Sequence, residues 1–249
     1  MANILDKYGI KEVADVMFYK IDEDGNVGAP VLYLDTLKVS TIEQTAEEAI
    51  AKGGKGNAPL ITWDYGKDIN VTLEDALFSA KSMAIMFGNG TTSEMSELKK
   101  TIAWRAAADS AAAPTEFVGP TGTTYSVPSN AVTYDATGVS VTTDSVVKGQ
   151  TYYTTFDMGI TGSQIEISAN SFPGTYYVTG DTYARSEMTG ADEYFQFIIP
   201  KAKVKSENTI TLEAEGDPSV FNLSLHVLRP AGGGAMMKLV KYDINAPQG

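Results

Sequence analysis

The last third of the chain constrains the fold most, because short segments of β-branched and aromatic residues follow one another with turn residues between them. In FNLSLHVL the apolar Phe221, Leu223 and Leu225 alternate with polar residues, the period of a strand with one buried face. The other segments are TYYVTGDTYAR (175–185), EYFQFIIP (193–200), NTITLEAEG (208–216) and MMKLVKYDI (236–244). These segments predict antiparallel strands joined by short turns.

The N-terminal region has the same strand character. Residues 13–21 and 31–39 are predicted to be strands joined by a turn at 22–30, where Asp24-Gly25 suits a tight hairpin. Residues 60–65 and 67–73 predict a further pair of strands on either side of a glycine.

One helix is predicted over residues 73–87. Thr72 and Asp75 have the spacing of an N-cap residue and the third residue of a helix, and Gly88 suits its end. The apolar residues between them recur at helical spacing, so the helix is expected to pack on a sheet.

Residues 46–58 are predicted to form a long, mobile projection. Glutamates and alanines allow one or two helical turns or an extended arm, and the GGKGNAP that follows does not favour regular structure. Loops of this length inside compact domains are usually functional.

The composition changes after Pro114. Residues 110–184 contain six acidic residues and one basic residue, with Thr, Ser, Tyr, Val and Gly dominant and short strand-like segments between turns. This predicts an inserted β-rich domain of immunoglobulin-like size at 111–172, within a sandwich formed by 1–110 and 173–249. Just before it, TIAW favours a strand through 98–106.

Composition excludes several kinds of site. The chain has no cysteine, so it holds neither disulfides nor thiolate metal sites, and His226 is its single histidine, which excludes a His-pair metal site. A net charge of −12 argues against binding nucleic acid by neutralising its phosphates. No secretory signal is recognised at the N-terminus.

The motifs that suggest catalysis or cofactors are weak. GGKG at 53–56 is followed by Asn-Ala-Pro, not by the Ser or Thr of a phosphate-binding loop, and DEDG at 22–25 lacks the remaining ligands of a calcium loop. No GxSxG nucleophile motif is present, and the spacing of the acids in EAEGD does not define a carboxylate pair. We therefore expect a protein without enzymatic activity, cofactor or metal.

Two long segments carry a resemblance to a known family. GGKGNAPLITWDYGKDINVTLEDALFS (53–79) and the segment from FPGTYYVTGDTYAR to LHVLRP (172–230), with MMKLVKYDI after it, resemble major tail tube proteins of tailed bacteriophages. The resemblance covers roughly 10–90 and 172–244 and does not extend over the middle of the chain.

The resemblance implies a mainly β fold: an antiparallel sandwich or partial barrel with one flanking α-helix, besides the inserted domain. It implies a virion component assembled in the host cytoplasm, with six subunits in a ring and rings stacked into a tube that conducts double-stranded DNA without specific binding. Tail sheath, tape measure and tail terminator proteins are the implied partners, and no membrane is involved.

The tube hypothesis assigns roles to particular residues. Candidates for contacts between rings are Glu47, Glu48, Lys52, Gly53, Gly54, Lys55, Gly56 and Asn57. Candidates for acids facing the lumen are Asp35, Asp64 and Asp68, since negative charge disfavours contact with phosphates.

An alternative remains from the residues alone. The Thr- and Tyr-rich middle segment also suits a capsid decoration or another virion surface protein that binds carbohydrate. Tyr152, Tyr153, Tyr176 and Tyr177 would then form an aromatic platform. Strand alternation instead predicts that one tyrosine of each pair is buried.

Overall fold

A computed structural model describes residues 7–88, 90–207, 210 and 220–242, and it confirms a mainly β, antiparallel fold. In chain order, the elements are β1 (Tyr8–Ile10), β2 (Asp15–Ile21), β3 (Val27–Leu34), β4 (Leu37–Gly53), β5 (Ala58–Asp75), α1 (Ala80–Phe87), β6 (Ser93–Arg105), β7 (Glu116–Val118), β8 (Thr124–Ser126), β9 (Val132–Tyr134), β10 (Thr151–Gln164), β11 (Thr175–Ser186), β12 (Asp192–Val204), β13 (Phe221–Val227) and β14 (Lys238–Tyr242). The chain divides into two compact units, a larger one of Met1–Thr92 with Ile165–Gly249 and a smaller one of Ser93–Gln164. The sequence prediction placed its insertion at 111–172.

The larger unit is built on one antiparallel sheet in the order β3-β2-β11-β12-β13-β5-β4. The short β1 pairs with β11 beyond the end of β2. On β12, the residues that pair with β14 precede those that pair with β13. Within the described residues β3 and β4 each pair on one side only, so both edges of this sheet are open.

The core of this unit follows from strand alternation. On β11 the buried Tyr176, Val178 and Gly180 alternate with residues of the opposite face, and Phe18 on β2 contacts Tyr176 edge to face at 5.9 Å between ring centroids. The ring of Phe197 on β12 covers Gly180, where an added Cβ would lie 2.2 Å from it. Glycine is therefore required at position 180 for packing.

The predicted helix over 73–87 is wrong at its start. The helix begins at Ala80, and Ser79 caps it by accepting from the Ser82 backbone N–H at 3.0 Å, while the Ser82 hydroxyl accepts from the Ser79 N–H at 2.8 Å. Residues 73–75 instead complete β5, because Leu73 continues the buried alternation of that strand beside β13.

Asp75, predicted to lie in the first helical turn, has another role. Its Oδ1 accepts from the Thr36 hydroxyl at 2.5 Å and from the Leu77 backbone N–H at 3.2 Å. The first bond joins the end of β5 to the link between β3 and β4, and the second closes the turn that follows β5.

Three further predictions in this unit need comment. The strand pair predicted around Gly66 is a single strand, β5, in which Gly66 takes a φ of +62° within a bulge, since Gly66 and Lys67 of β5 lie opposite Ala46 alone of β4. The strand predicted over 31–39 is interrupted by Asp35 and Thr36. The strand predicted over 208–216 lies almost entirely outside the described residues.

The smaller unit contains a three-stranded sheet in the order β6-β10-β9 and the β7–β8 hairpin. The predicted strand at 98–106 is confirmed as part of β6. The small core of this unit consists of Ala106, Val146 and Tyr152, with Trp104 packed beside them. The Trp104 indole N–H donates to the buried Thr154 hydroxyl at 2.9 Å, which fixes the ring.

Candidate assembly surfaces

The most prominent surface feature is a two-stranded arm, residues 47–65, formed by the outer halves of β4 and β5. Beyond the β5 bulge at Gly66 and Lys67, the pairing continues from Glu47 opposite Tyr65 to Gly53 opposite Ala58. At about 3.4 Å per residue this ladder extends roughly 20–25 Å. Among the described strands, β5 has β4 as its only neighbour here, since its pairing with β13 covers residues 70–75.

One face of the arm is apolar. Ile61, Trp63 and Tyr65 alternate along β5 and share a face with their partners on β4, Ala51, Ala49 and Glu47. Each of these three side chains is 54% exposed. A hairpin of two strands is marginally stable in water and needs its apolar face covered. The arm thus presents a surface that a partner would complete.

The opposite face of the arm is more polar and carries like charges in register. Glu48 lies directly opposite Asp64, with Ile50 opposite Thr62 next along the ladder. Two carboxylates at directly opposed positions destabilise the pairing of their strands. A cationic group from elsewhere would relieve that repulsion.

The residues predicted to contact the next ring all lie in this arm. Glu47, Glu48, Lys52 and Gly53 belong to β4, and the turn over 54–57 is closed by the Asn57 backbone N–H donating to the Gly54 carbonyl at 3.2 Å. Of the two conformations that the sequence allowed for the glutamates and alanines here, the structure has the extended arm and not helical turns, because residues 46–53 form a strand with β5. The prediction of a mobile projection did not take into account that residues 46–53 pair with the β5 segment opposite them.

The three acids predicted to face the lumen lie in different settings. Asp35 is exposed in the link between β3 and β4, and Asp64 is exposed on the arm. Asp68 lies at the base of the arm, where its Oδ1 is 3.1 Å from His226 Nδ1 and its Oδ2 accepts from the Asn70 side chain at 3.0 Å. The structure does not bring the three together.

A second surface is the outer face of the large sheet, which is rich in tyrosine. Tyr183, Tyr194 and Tyr242 form a row across β11, β12 and β14, with successive ring centroids 5.3 Å apart. Tyr19 and Tyr177 contact edge to face on the same side of the sheet. We call this surface the tyrosine face.

A cavity of about 580 Å³ opens beside the tyrosine face. It lies where four residues, 11–14, span the distance that two residues of β11 cover, so the chain bulges between β1 and β2. Its lining is Gly9, Lys11, Glu12, Val13, Asp15, Asp181, Thr182, Tyr183, Arg185 and Asp192. Four of these residues are acidic and two are basic.

The acids of this cavity influence neighbouring tyrosines. Asp181 accepts from the Gln196 side chain at 2.8 Å and from the Tyr242 hydroxyl at 3.2 Å, and Asp15 accepts from the Tyr33 hydroxyl at 3.2 Å. Burial raises the pKa of Tyr242, and the charge of Asp181 raises it further. Burial and then the charge of Asp15 raise the pKa of Tyr33 in the same way.

The tyrosine pairs of the alternative hypothesis follow strand alternation. Tyr152 and Tyr176 are buried, whereas Tyr153 is 39% exposed and Tyr177 is half-buried. The two pairs also lie in different units. Burial of Tyr152 and Tyr176 leaves only one tyrosine of each pair open to a ligand, as strand alternation predicts.

Other binding features are limited in the part of the chain that the structure describes. No three Asp, Glu or His side chains lie close enough together there to hold a metal ion. The same described ranges contain no helix with the length and apolar character needed to cross a bilayer.

Sequence reasoning missed the apolar stripe of the arm and the tyrosine face as surfaces. The alternation of Ile61, Trp63 and Tyr65 in LITWDY was a usable signal for the first. The second depends on which strands become neighbours, and no sequence spacing reveals that.

Comparison with known protein families identifies the family to which the chain is similar. A family model described as the YomU/Tube protein family matches residues 8–239, which is nearly the whole chain. No curated protein sequence matches it.

Proposed function

Because the chain belongs to the YomU/Tube protein family, a phage tube-type family, it is a tail tube-like structural protein of the virion, and we propose that its copies form stacked rings around a DNA-conducting lumen. Six subunits in each ring is the symmetry that the resemblance implies. The tail is the proposed location of the assembled protein, and the host cytoplasm the place where it assembles.

The arm is the observation that carries this proposal. The apolar stripe of the arm is exposed in the single subunit. Its residues, Ile61, Trp63 and Tyr65, form one continuous apolar face. Stacking of rings would cover that face, because an arm that extends roughly 20–25 Å reaches beyond its own sheet. Within the part of the chain that the structure describes, these side chains remain exposed in the single subunit.

The open edges of the large sheet support closure of each ring. The described β3 and β4 stand at opposite ends of the strand order, and each has unpaired backbone groups along its outer side. Such edges pair readily with another strand. Pairing β3 of one copy with β4 of the next would repeat around an axis and close without leaving an open edge.

The acidic balance suits a lumen through which DNA moves. A net charge of −12 repels phosphate and keeps the DNA from adhering. We propose Asp35, Asp64 and Asp68 as lumen acids, of which Asp68 is already paired with His226. Replacing Asp35 and Asp64 with lysine should slow DNA ejection from virions.

The proposed role needs no catalysis. We propose contacts with other proteins at three places: a tape measure protein in the lumen, a terminator at the end of the tube, and a sheath on its outside if the tail contracts. No membrane contact is part of the proposal.

Electron microscopy of the purified protein tests the assembly. We expect rings or tubes with a hollow centre as the protein concentration rises. A protein that stays monomeric at millimolar concentration would contradict the proposal.

A variant of the arm separates assembly from folding. Trp63→Ser with Tyr65→Ser removes the apolar face from side chains that are half exposed in the subunit. The variant should unfold at the same urea concentration as the wild type and should not form long tubes. Thr62→Ser, a change on the opposite face of the same strand, is the matched control.

A second candidate function comes from the smaller unit. A cavity of about 400 Å³ lies beside Trp104, with Ala131, Val132 and Val141 in its walls and the hydroxyl-bearing Thr142 and Thr143 at its lining. An aromatic ring with nearby hydroxyls suits a sugar ring. Binding of the intact protein to a glycan array, abolished by Trp104→Ala in a folded variant, would support a role in surface recognition.

A further inference from the structure

We propose that the acidic cavity beside the tyrosine face receives the tip of the arm of a second copy, with the ammonium group of Lys55 between Asp15 and Asp181. This inference rests on the proposed function, because it names the surface on which the arm docks. The occupant is a segment of the same protein.

The cavity has an unbalanced negative charge. Asp15 and Asp181 are directly opposed in the register of β2 and β11, and neither has an ion pair within the described residues. Opposed carboxylates repel each other across a pair of strands. The partners that they do have, Gln196 and two tyrosine hydroxyls, are neutral donors.

The two basic residues of the cavity do not remove this imbalance. Arg185 makes two hydrogen bonds of 2.7 Å with the Asp192 carboxylate, so its charge is already balanced by one of the four acids. The remaining basic residue, Lys11, supplies one positive charge to balance the three carboxylates of Glu12, Asp15 and Asp181. The chemistry of the cavity therefore favours an additional cation.

The walls of the cavity favour an amine attached to an apolar chain. Tyr183 is 50% exposed and forms part of the lining, and the stacked Tyr194 and Tyr242 continue the surface away from it. Tyrosine faces attract ammonium groups and pack against methylene chains. A lysine side chain satisfies both requirements.

The tip of the arm offers such a group. Lys55 is exposed at the centre of the Gly54–Asn57 turn, and neither it nor Lys52 forms an ion pair within the described residues. Positive φ values at Gly54, Gly56 and Asn57 make the turn tight, which places Lys55 at its extremity. The side chain can therefore enter a cavity before any other part of the arm.

The arm and the tyrosine face are also complementary beyond the charged contact. The apolar stripe of Ile61, Trp63 and Tyr65 runs back from the tip along one face of β5. With Lys55 in the cavity, this stripe can lie on the neighbouring tyrosines. Aromatic side chains at the centre of an interface contribute strongly to its free energy of association.

Charge reversal tests the contact. Lys55→Glu should raise the protein concentration needed for tube formation by about tenfold or more, because it places like charges in a desolvated contact. Asp15→Lys should have a similar effect. The chain that carries both changes should assemble at a concentration close to that of the wild type, since the pair is restored in the opposite sense.

The control variant makes the same change in net charge as Lys55→Glu but at a different position. Lys148→Glu alters an exposed lysine of the smaller unit and should leave the concentration for assembly unchanged. If Asp15→Lys fails to fold by circular dichroism, Asp15→Asn takes its place and should give a smaller effect of the same sign.

Zero-length cross-linking of wild-type tubes with a carbodiimide identifies the partner. The reaction joins a lysine amine to a carboxyl group in direct contact, with loss of water. Mass spectrometry should find Lys55 joined to Asp15 or Asp181 in tubes and not in dissociated subunits. Cross-links from Lys55 only to other carboxyls would overturn the inference.

The outcomes separate this inference from the function on which it rests. If the wild type forms tubes and Lys55→Glu assembles at the same concentration, the docking surface is wrong and the tube function stands. If the wild type never forms rings or tubes, the proposed function fails and the inference fails with it.

Discussion

His226 Nδ1 on β13 lies 3.1 Å from Asp68 Oδ1 on β5, where the arm leaves the sheet. Asn70, directly opposite His226 in the register, donates to the other oxygen of the same carboxylate. The single histidine of the chain is therefore held at the base of the arm, on the face of β13 that does not contribute to the core.

This contact predicts a small effect on stability. Both side chains are 41% exposed, so solvent screens their attraction. Asp68→Asn should change the free energy of unfolding at pH 7 by less than about 1 kcal/mol, as measured by urea denaturation. A loss of several kcal/mol would mean that the pair anchors the arm to the sheet.

Packing at Gly180 predicts a large effect from one methyl group. An alanine Cβ there would lie 2.2 Å from the Phe197 ring, so Phe197 or the backbone must move. Gly180→Ala should lower the free energy of unfolding by about 1–3 kcal/mol. Gly9→Ala is the matched control, because no heavy atom lies within 4 Å of the added Cβ, and it should have almost no effect.

The helix cap predicts a difference between two hydroxyl residues. Ser79→Ala removes the acceptor for the Ser82 N–H and should cost about 0.5–2 kcal/mol of stability. Thr72→Ala changes a residue near the end of β5 and should leave the helix intact. Hydrogen exchange of the α1 amides should increase in the first variant only.

Burial of Tyr176 predicts a loss of stability in alkali. Burial raises the pKa of Tyr176 above its ordinary value of 10, so the folded state holds this proton more tightly than the unfolded chain does. The corresponding stability is fully present below pH 10 and is lost as the pH rises through the pKa of the folded state. Tyr176→Phe should lose less stability than the wild type between pH 9 and pH 11, and parallel losses in both proteins would contradict this.

Local patterns in the sequence predict most of the strands, but they do not predict the residue at which β5 ends. The alternation of Ile69, Val71 and Leu73 competes with the helical spacing that begins at Leu73, and both are present in the same residues. Pairing with β13 decides in favour of the strand. That pairing joins segments about 150 residues apart, which a local pattern does not show.

The arm illustrates a second limit. The glutamates and alanines of 43–51 have low strand propensity, so the sequence left open whether they form helical turns or an extended arm. They are extended because the apolar, β-branched and aromatic residues opposite them favour a strand. In the same way, the tyrosine face joins β2 and β14 to the hairpin of β11 and β12, and its cavity adds β1. Only the fold brings these segments together.

Hydrogen–deuterium exchange of free subunits and assembled material, measured on the same peptides, tests the central claim most directly. The claim is that assembly covers the arm and both edges of the large sheet. The account predicts that amides of 47–65 and of the outer edges of β3 and β4 exchange rapidly in the subunit and become protected in the assembly. Assembled material in which the arm and both edges exchange as fast as in the free subunit would contradict it.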